Sequence, residues 1–112
     1  MIDSYKFGEF VIKGKTFKCN VELIGDKVKE HRYLPNHELQ LDDFTELINS
    51  KPEILIIGTG AYSVVKPPKE IIDFIEKQGI KVIAEKTGTA CKTYNTLLKQ
   101  GKKVAALMHD TC

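Results

Sequence analysis

Ile54-Leu-Ile-Ile-Gly-Thr-Gly60 is the stretch that decides the fold. An unbroken apolar run between Pro52 and Gly58 fits a short strand covered on both faces, because a strand with one wet face alternates instead. Working downstream, Pro67-Pro68 opens a helix, since proline is tolerated where the first amides lack an intrahelical partner. Its apolar face carries Ile71, Ile72 and Ile75 with Phe74 alongside, and Gly79 supplies the stop. Ile80–Ala84 reads as the next strand. Thr87 or Thr89 caps a third helix with Ala90, Tyr94, Leu97 and Leu98 on its apolar face, closed by Gly101. Lys102–Met108 reads as the last strand.

Upstream, the pattern is β-rich. Apolar residues fall on alternate positions of Phe17-Lys-Cys-Asn-Val-Glu-Leu23, the period of one half-buried strand. Lys13-Gly-Lys15 and Gly25-Asp26 are turn signals around it, Lys27–Tyr33 returns as its partner, and Phe7–Ile12 reads as a further short strand. Pro35-Asn36 breaks this antiparallel meander. From there Leu41, Phe44, Leu47 and Ile48 space out as the stripe of an amphipathic helix, with Asp42 and Asp43 in its first turn and Lys51-Pro52 after its end. The order predicts an α/β fold with a mixed central sheet covered by helices and an additional N-terminal meander.

Composition narrows the function classes. The 112 residues, 42% hydrophobic and 29% charged, suit a single domain spanning 1–112. A net charge of +2, with lysines interleaved among acids, forms no basic stripe and argues against nucleic-acid or membrane-surface binding. Ile54–Ile57 and Val104–Met108 are too short to span a bilayer, and Met1–Phe7 lacks the pattern of a signal peptide. Cys19, Cys91 and Cys112 are odd in number and widely spaced, as expected of free thiols in the cytoplasm.

Three motifs bear on chemistry. A glycine loop after a parallel strand brings backbone amides close to an anion, and Glu85 ends the following strand where a dinucleotide fold places its ribose-binding acid. Ser63 nevertheless replaces the third glycine, the helix begins only at Pro67-Pro68, and no Gly-Lys-Ser/Thr follows, so Gly58, Thr59 and Gly60 fit a tight strand exit at least as well. Thr87-Gly-Thr-Ala-Cys91 starts a helix after a strand, and Cys91 in its first turn is placed for the dipole to lower a thiol pKa, provided that His37 or His109 supplies a base. The plainer alternative is capping threonines and a small buried cysteine. His109-Asp-Thr-Cys112 brings together too few ligands for a metal, and Asn95 inside the third helix is expected to bond neighbouring backbone.

The run Pro52–Gly60, then Pro68, Gly79-Ile-Lys-Val82, Thr87, Thr93-Tyr-Asn-Thr-Leu97 and Val104-Ala-Ala-Leu107, with Phe7-Gly8 and His37, resembles one uncharacterised-domain family. It includes the adipogenesis-associated Mth-type domain protein and, more distantly, a mitochondrial complex I assembly factor. The resemblance implies a three-layer α/β fold with a mixed five-stranded sheet and no established enzymatic activity. Many relatives carry an arginine soon after Gly-Thr-Gly and another before the last strand. Here Ala61-Tyr-Ser and Gly101-Lys-Lys103 stand there, and lysine does not offer arginine's bidentate fork.

The expectation is a non-catalytic binding or assembly module with protein partners and no metal or organic cofactor, either a monomer or a weak homo-oligomer. The rival is an enzyme or small-anion binder using a cleft between Gly58–Gly60 and Thr87–Cys91, with Thr59, Thr89 and His37 contributing.

Overall fold

In chain order the computed structural model, which describes residues 1–112, contains β1 (Ile2–Lys6), β2 (Glu9–Ile12), β3 (Lys15–Phe17), β4 (Val21–Ile24), β5 (Lys27–Glu30), α1 (Thr45–Asn49), β6 (Ile54–Gly58), α2 (Lys69–Glu76), β7 (Lys81–Glu85), α3 (Thr87–Lys99) and β8 (Val104–Met108). β1, β2 and β3 form a three-stranded antiparallel sheet. The others form a five-stranded sheet in the order β5-β4-β8-β6-β7. β4 runs antiparallel to both β5 and β8, whereas β6 runs parallel to β8 and β7, so the sheet is mixed as expected.

β6 and β8 sit in the middle, and their alternate side chains feed two cores. Ile56, Val104, Ala106 and Met108 face Ala90 and Tyr94 of α3 together with Phe10, Ile12 and Phe17 of the small sheet. Leu55, Ile57, Ala105 and Leu107 face Phe44, Leu47, Ile71 and Ile75 on the opposite side. A strand feeding two cores cannot alternate in hydropathy, which is why Ile54–Ile57 is continuous. The result is three layers: α3 with the small sheet, the five-stranded sheet, and α1 with α2.

Four local expectations are corrected. Phe17–Leu23 is not one strand: the chain leaves the small sheet after Phe17, bends at Cys19 and enters the large sheet at Val21. The buried Asn20 makes this crossing, its amide donating to the Arg32 carbonyl at 3.0 Å. The strand read at Phe7–Ile12 is β2 alone, and Phe7-Gly8 forms the turn from β1, which sequence pattern did not reveal. The helix from Leu41 begins as a 3-10 turn, Leu41–Phe44, before α1. Neither Thr87 nor Thr89 caps α3. Lys86 occupies that position without a side-chain cap, because the Thr87 hydroxyl is used elsewhere.

Candidate functional site

The glycine loop leaves β6 at the edge where open α/β sheets place ligands. Apart from that of Tyr62, its amides are already committed. Thr59 N–H donates to the Glu85 carbonyl at 2.9 Å, Gly60 N–H to the Thr87 hydroxyl at 2.8 Å, and Ala61 N–H to the Thr111 carbonyl at 2.7 Å. Ser63 and Val64 donate to the Gly60 and Cys112 carbonyls. The Thr87 hydroxyl donates in turn to the His109 carbonyl at 2.8 Å, and Thr87 N–H donates back to the Gly60 carbonyl at 3.1 Å. Gly58–Gly60 and the start of α3 are therefore bonded directly together.

The chain's own segment His109–Cys112 lies across this edge. His109 N–H donates to the Gly58 carbonyl, while the Asp110 carbonyl accepts both Gly8 N–H and the Tyr5 hydroxyl. Gly60 makes room for it. A Cβ on Gly60 would lie 2.1 Å from the Cys112 carbonyl carbon and oxygen, and one on Gly58 would lie 2.7 Å from Met108 Sδ.

Thr89 and Cys91 line a depression of about 520 Å³ between α3 and β1, which Ala61 just after Gly60, Lys86, Lys92 and Tyr5 also line. The thiol is not activated there. Burial pushes the Cys91 pKa up to about 12, against the direction a helix N-terminus would move it.

His37 lines a different pocket of about 320 Å³ with Val64 and Lys66. Its Nδ1 lies 3.3 Å from Nε2 of His109, a pairing across 72 positions that the sequence did not signal. His109 is buried, and burial lowers its pKa; Asp110 opposes this and His37 reinforces it. Asn20 Oδ1 accepts the Asp110 amide and also lies 2.9 Å from His109 Nδ1, so that nitrogen carries the hydrogen. Neutral His109 then presents a bare Nε2 to His37 Nδ1–H, which leaves His37 Nε2 without a partner in the chain. Asn36 and His37 hold left-handed φ angles of 56° and 57°, a strained turn.

A second polar cluster was also missed. His31 bridges Glu22 Oε2 at 2.5 Å and Asp43 Oδ1 at 2.8 Å, and the Arg32 guanidinium grips Asp43 through two nitrogens. Burial raises the Asp43 pKa, but Arg32, the Gln40 amide and His31 outweigh it and hold the carboxyl below its usual range. No three His, Cys, Asp or Glu side chains converge as metal ligands. Asn95 bonds both main-chain groups of Ile2, at 2.9 and 2.7 Å, tying α3 to β1.

Comparison with known proteins supplies a family. Residues 2–109 match the model for a protein of unknown function (DUF498/DUF598). The chain is 35% identical over 83 residues to a 13 kDa major membrane protein of Francisella tularensis, covering 74% of this chain and 63% of that protein. It is 26% identical over 109 residues to the human NADH dehydrogenase [ubiquinone] 1 alpha subcomplex assembly factor 3, covering 96% and 59%. The chain thus spans about three-fifths of the length of these curated relatives. The crystal structure of a conserved hypothetical protein from Pyrococcus horikoshii shares the fold, with a TM-score of 0.88, 22% identity and coverage of 100% and 99%. No helix of the chain is long and apolar enough to cross a membrane.

Proposed function

The chain belongs to the DUF498/DUF598 family of proteins of unknown function, and from that premise we propose that it is a non-catalytic binding or assembly module acting through protein partners. The observation that carries this reading is an exposed aromatic pair. Phe7 and Tyr62 are 53% and 70% exposed, with ring centroids 6.1 Å apart. Their turns are both anchored on the 109–112 segment, through Gly8 N–H and Ala61 N–H. Large aromatic rings held rigid at the surface, beside an edge with few free amides, suit recognition of another protein better than capture of a phosphate. The relative named as an assembly factor points the same way. The core shared by both sheets supports one domain over 1–112, and free Cys19, Cys91 and Cys112 support a reducing compartment such as the cytoplasm.

The test compares the native chain with a Phe7→Ala/Tyr62→Ala variant in quantitative co-purification from its own cells. The expected result is a defined partner that the variant loses while keeping its melting temperature. The enzyme or small-anion reading now rests on the Thr89–Cys91 depression and on His37 Nε2. A melting-temperature rise with a nucleotide, phosphate or small acid, together with no partner sensitive to Phe7 and Tyr62, would favour it.

A further inference from the structure

β7 is one edge of the five-stranded sheet, with β6 as its only neighbour. Lys81 N–H donates to the Glu53 carbonyl, and the Glu85 carbonyl accepts Thr59 N–H. Lys81 and Glu85 therefore turn their main-chain groups toward β6, as does Ile83 by the two-residue period. Val82 and Ala84 point theirs outward, where nothing in the chain pairs them. Such an edge is a template for another strand unless it is blocked. This one is open: Lys81 and Ala84 are exposed, and Val82 and Ile83 only half-buried. Lys81 has no ion-pair partner in the chain. Glu85 uses only Oε1, which accepts the Thr93 hydroxyl at 2.7 Å.

We propose that β7 is a self-recognition edge, at which two copies of this chain join antiparallel about a two-fold axis through Ile83, with Lys81 of each copy opposite Glu85 of the other. The symmetry restricts the register. Directly opposite residues in an antiparallel pair share a face, and a two-fold axis between edge strands stands perpendicular to the sheet. A symmetric register must therefore be centred on a residue. Centred on Ile83, it sets Val82 against Ala84, whose outward N–H and C=O groups exchange hydrogen bonds on both sides of the axis. It also stacks Ile83 on its symmetry mate and closes each end with a Lys–Glu pair. Centring on Val82 sets Lys81 against Ile83, and centring on Ala84 sets Ile83 against Glu85. Only the Ile83 register matches hydrogen bonds, apolar contacts and charge together.

The opposite edge, β5, provides the contrast. In Lys27-Val-Lys-Glu30 a register centred on Val28 sets Lys27 against Lys29, and one centred on Lys29 sets that lysine against itself. Like charges directly opposite are destabilising, so β5 is protected from self-pairing while β7 is suited to it.

Sedimentation velocity over a concentration series tests the proposal on the full chain. The native protein is expected to pass to the two-chain mass as concentration rises. Lys81→Glu and Glu85→Lys should each weaken dimerisation by about tenfold or more, because each reverses both symmetric pairs. The double swap Lys81→Glu/Glu85→Lys should recover it. Ala84→Pro removes an outward N–H without touching β6 and should leave a monomer with native circular dichroism. A native chain that stays monomeric, single reversals that dimerise like native, a double swap that does not recover, or a dimer that survives Ala84→Pro would each overturn the proposal.

Discussion

A Cβ on Gly60 would meet the Cys112 main chain at 2.1 Å, and the residue's φ of +102° already favours glycine. Both effects act at once in Gly60→Ala. The variant should lift the 109–112 segment from the sheet edge and lose about 2–4 kcal/mol of stability. Gly14 also has a positive φ, +77°, but nothing lies within 4 Å of its added Cβ. Gly14→Ala should lose only the conformational term, about 1–2 kcal/mol. Denaturant midpoints check the difference, and hydrogen exchange at Ala61 and Val64 reports whether the segment has lifted. Equal losses for the two variants would mean that the tail is not what Gly60 accommodates. Glycine spacing showed where the chain exits β6, but the occupant of that exit comes from the far end of the sequence, beyond the reach of any local pattern.

At the level of elements, the connector between β5 and α1 is held by one carboxylate. Asp43 is buried and accepts from His31, both Arg32 nitrogens and the Gln40 amide, whereas the Arg32 side chain is 45% exposed. Asp43→Ala leaves several donors unsatisfied around a buried position and should cost about 3–5 kcal/mol. Arg32→Ala leaves the Asp43 carboxylate with His31 and the Gln40 amide and should cost less, about 1–2 kcal/mol. Thermal melts of the two variants give the ranking, and a larger loss for Arg32→Ala would contradict it. The same contrast between local and distant causes separates the elements that pattern revealed from those it did not. β6, α2, β7, α3 and β8 were legible because apolar runs, Pro67-Pro68, Gly79 and Gly101 act within a few residues. The break at Cys19 was hidden because alternation continues through it while the chain changes sheets. β1 was hidden because Ile2-Asp-Ser-Tyr-Lys6 buries only Ile2 fully and is held by Asn95, a residue far along the chain.

For the molecule as a whole, the buried His109 makes stability depend on pH. It joins the end of β8, the Asn20 crossing between the two sheets and the His37 turn, so its charge state acts where these meet. Its folded pKa is lowered, mainly by burial, from an unfolded value of about 6.5. Between those two values the unfolded chain binds more protons than the folded one, so stability rises with pH through that window. The contribution is complete above about pH 6.5 and is lost as pH falls below it. Asp43, with its folded pKa lowered, acts in a separate window: its contribution is present above the unfolded carboxylate value of about 4 and is lost only at lower pH. Melting temperatures measured from pH 8 to pH 3 on the native chain and on His109→Gln separate the two. The variant is expected to be less stable at pH 8 but flatter than native as pH falls from 7 toward 5, because glutamine can still donate to Asn20 and does not titrate. Both proteins should then fall together below about pH 4 as Asp43 protonates. A variant that declines between pH 7 and 5 as steeply as the native chain would remove His109 as the source of that loss and leave the junction of the two sheets without a proton-sensitive group.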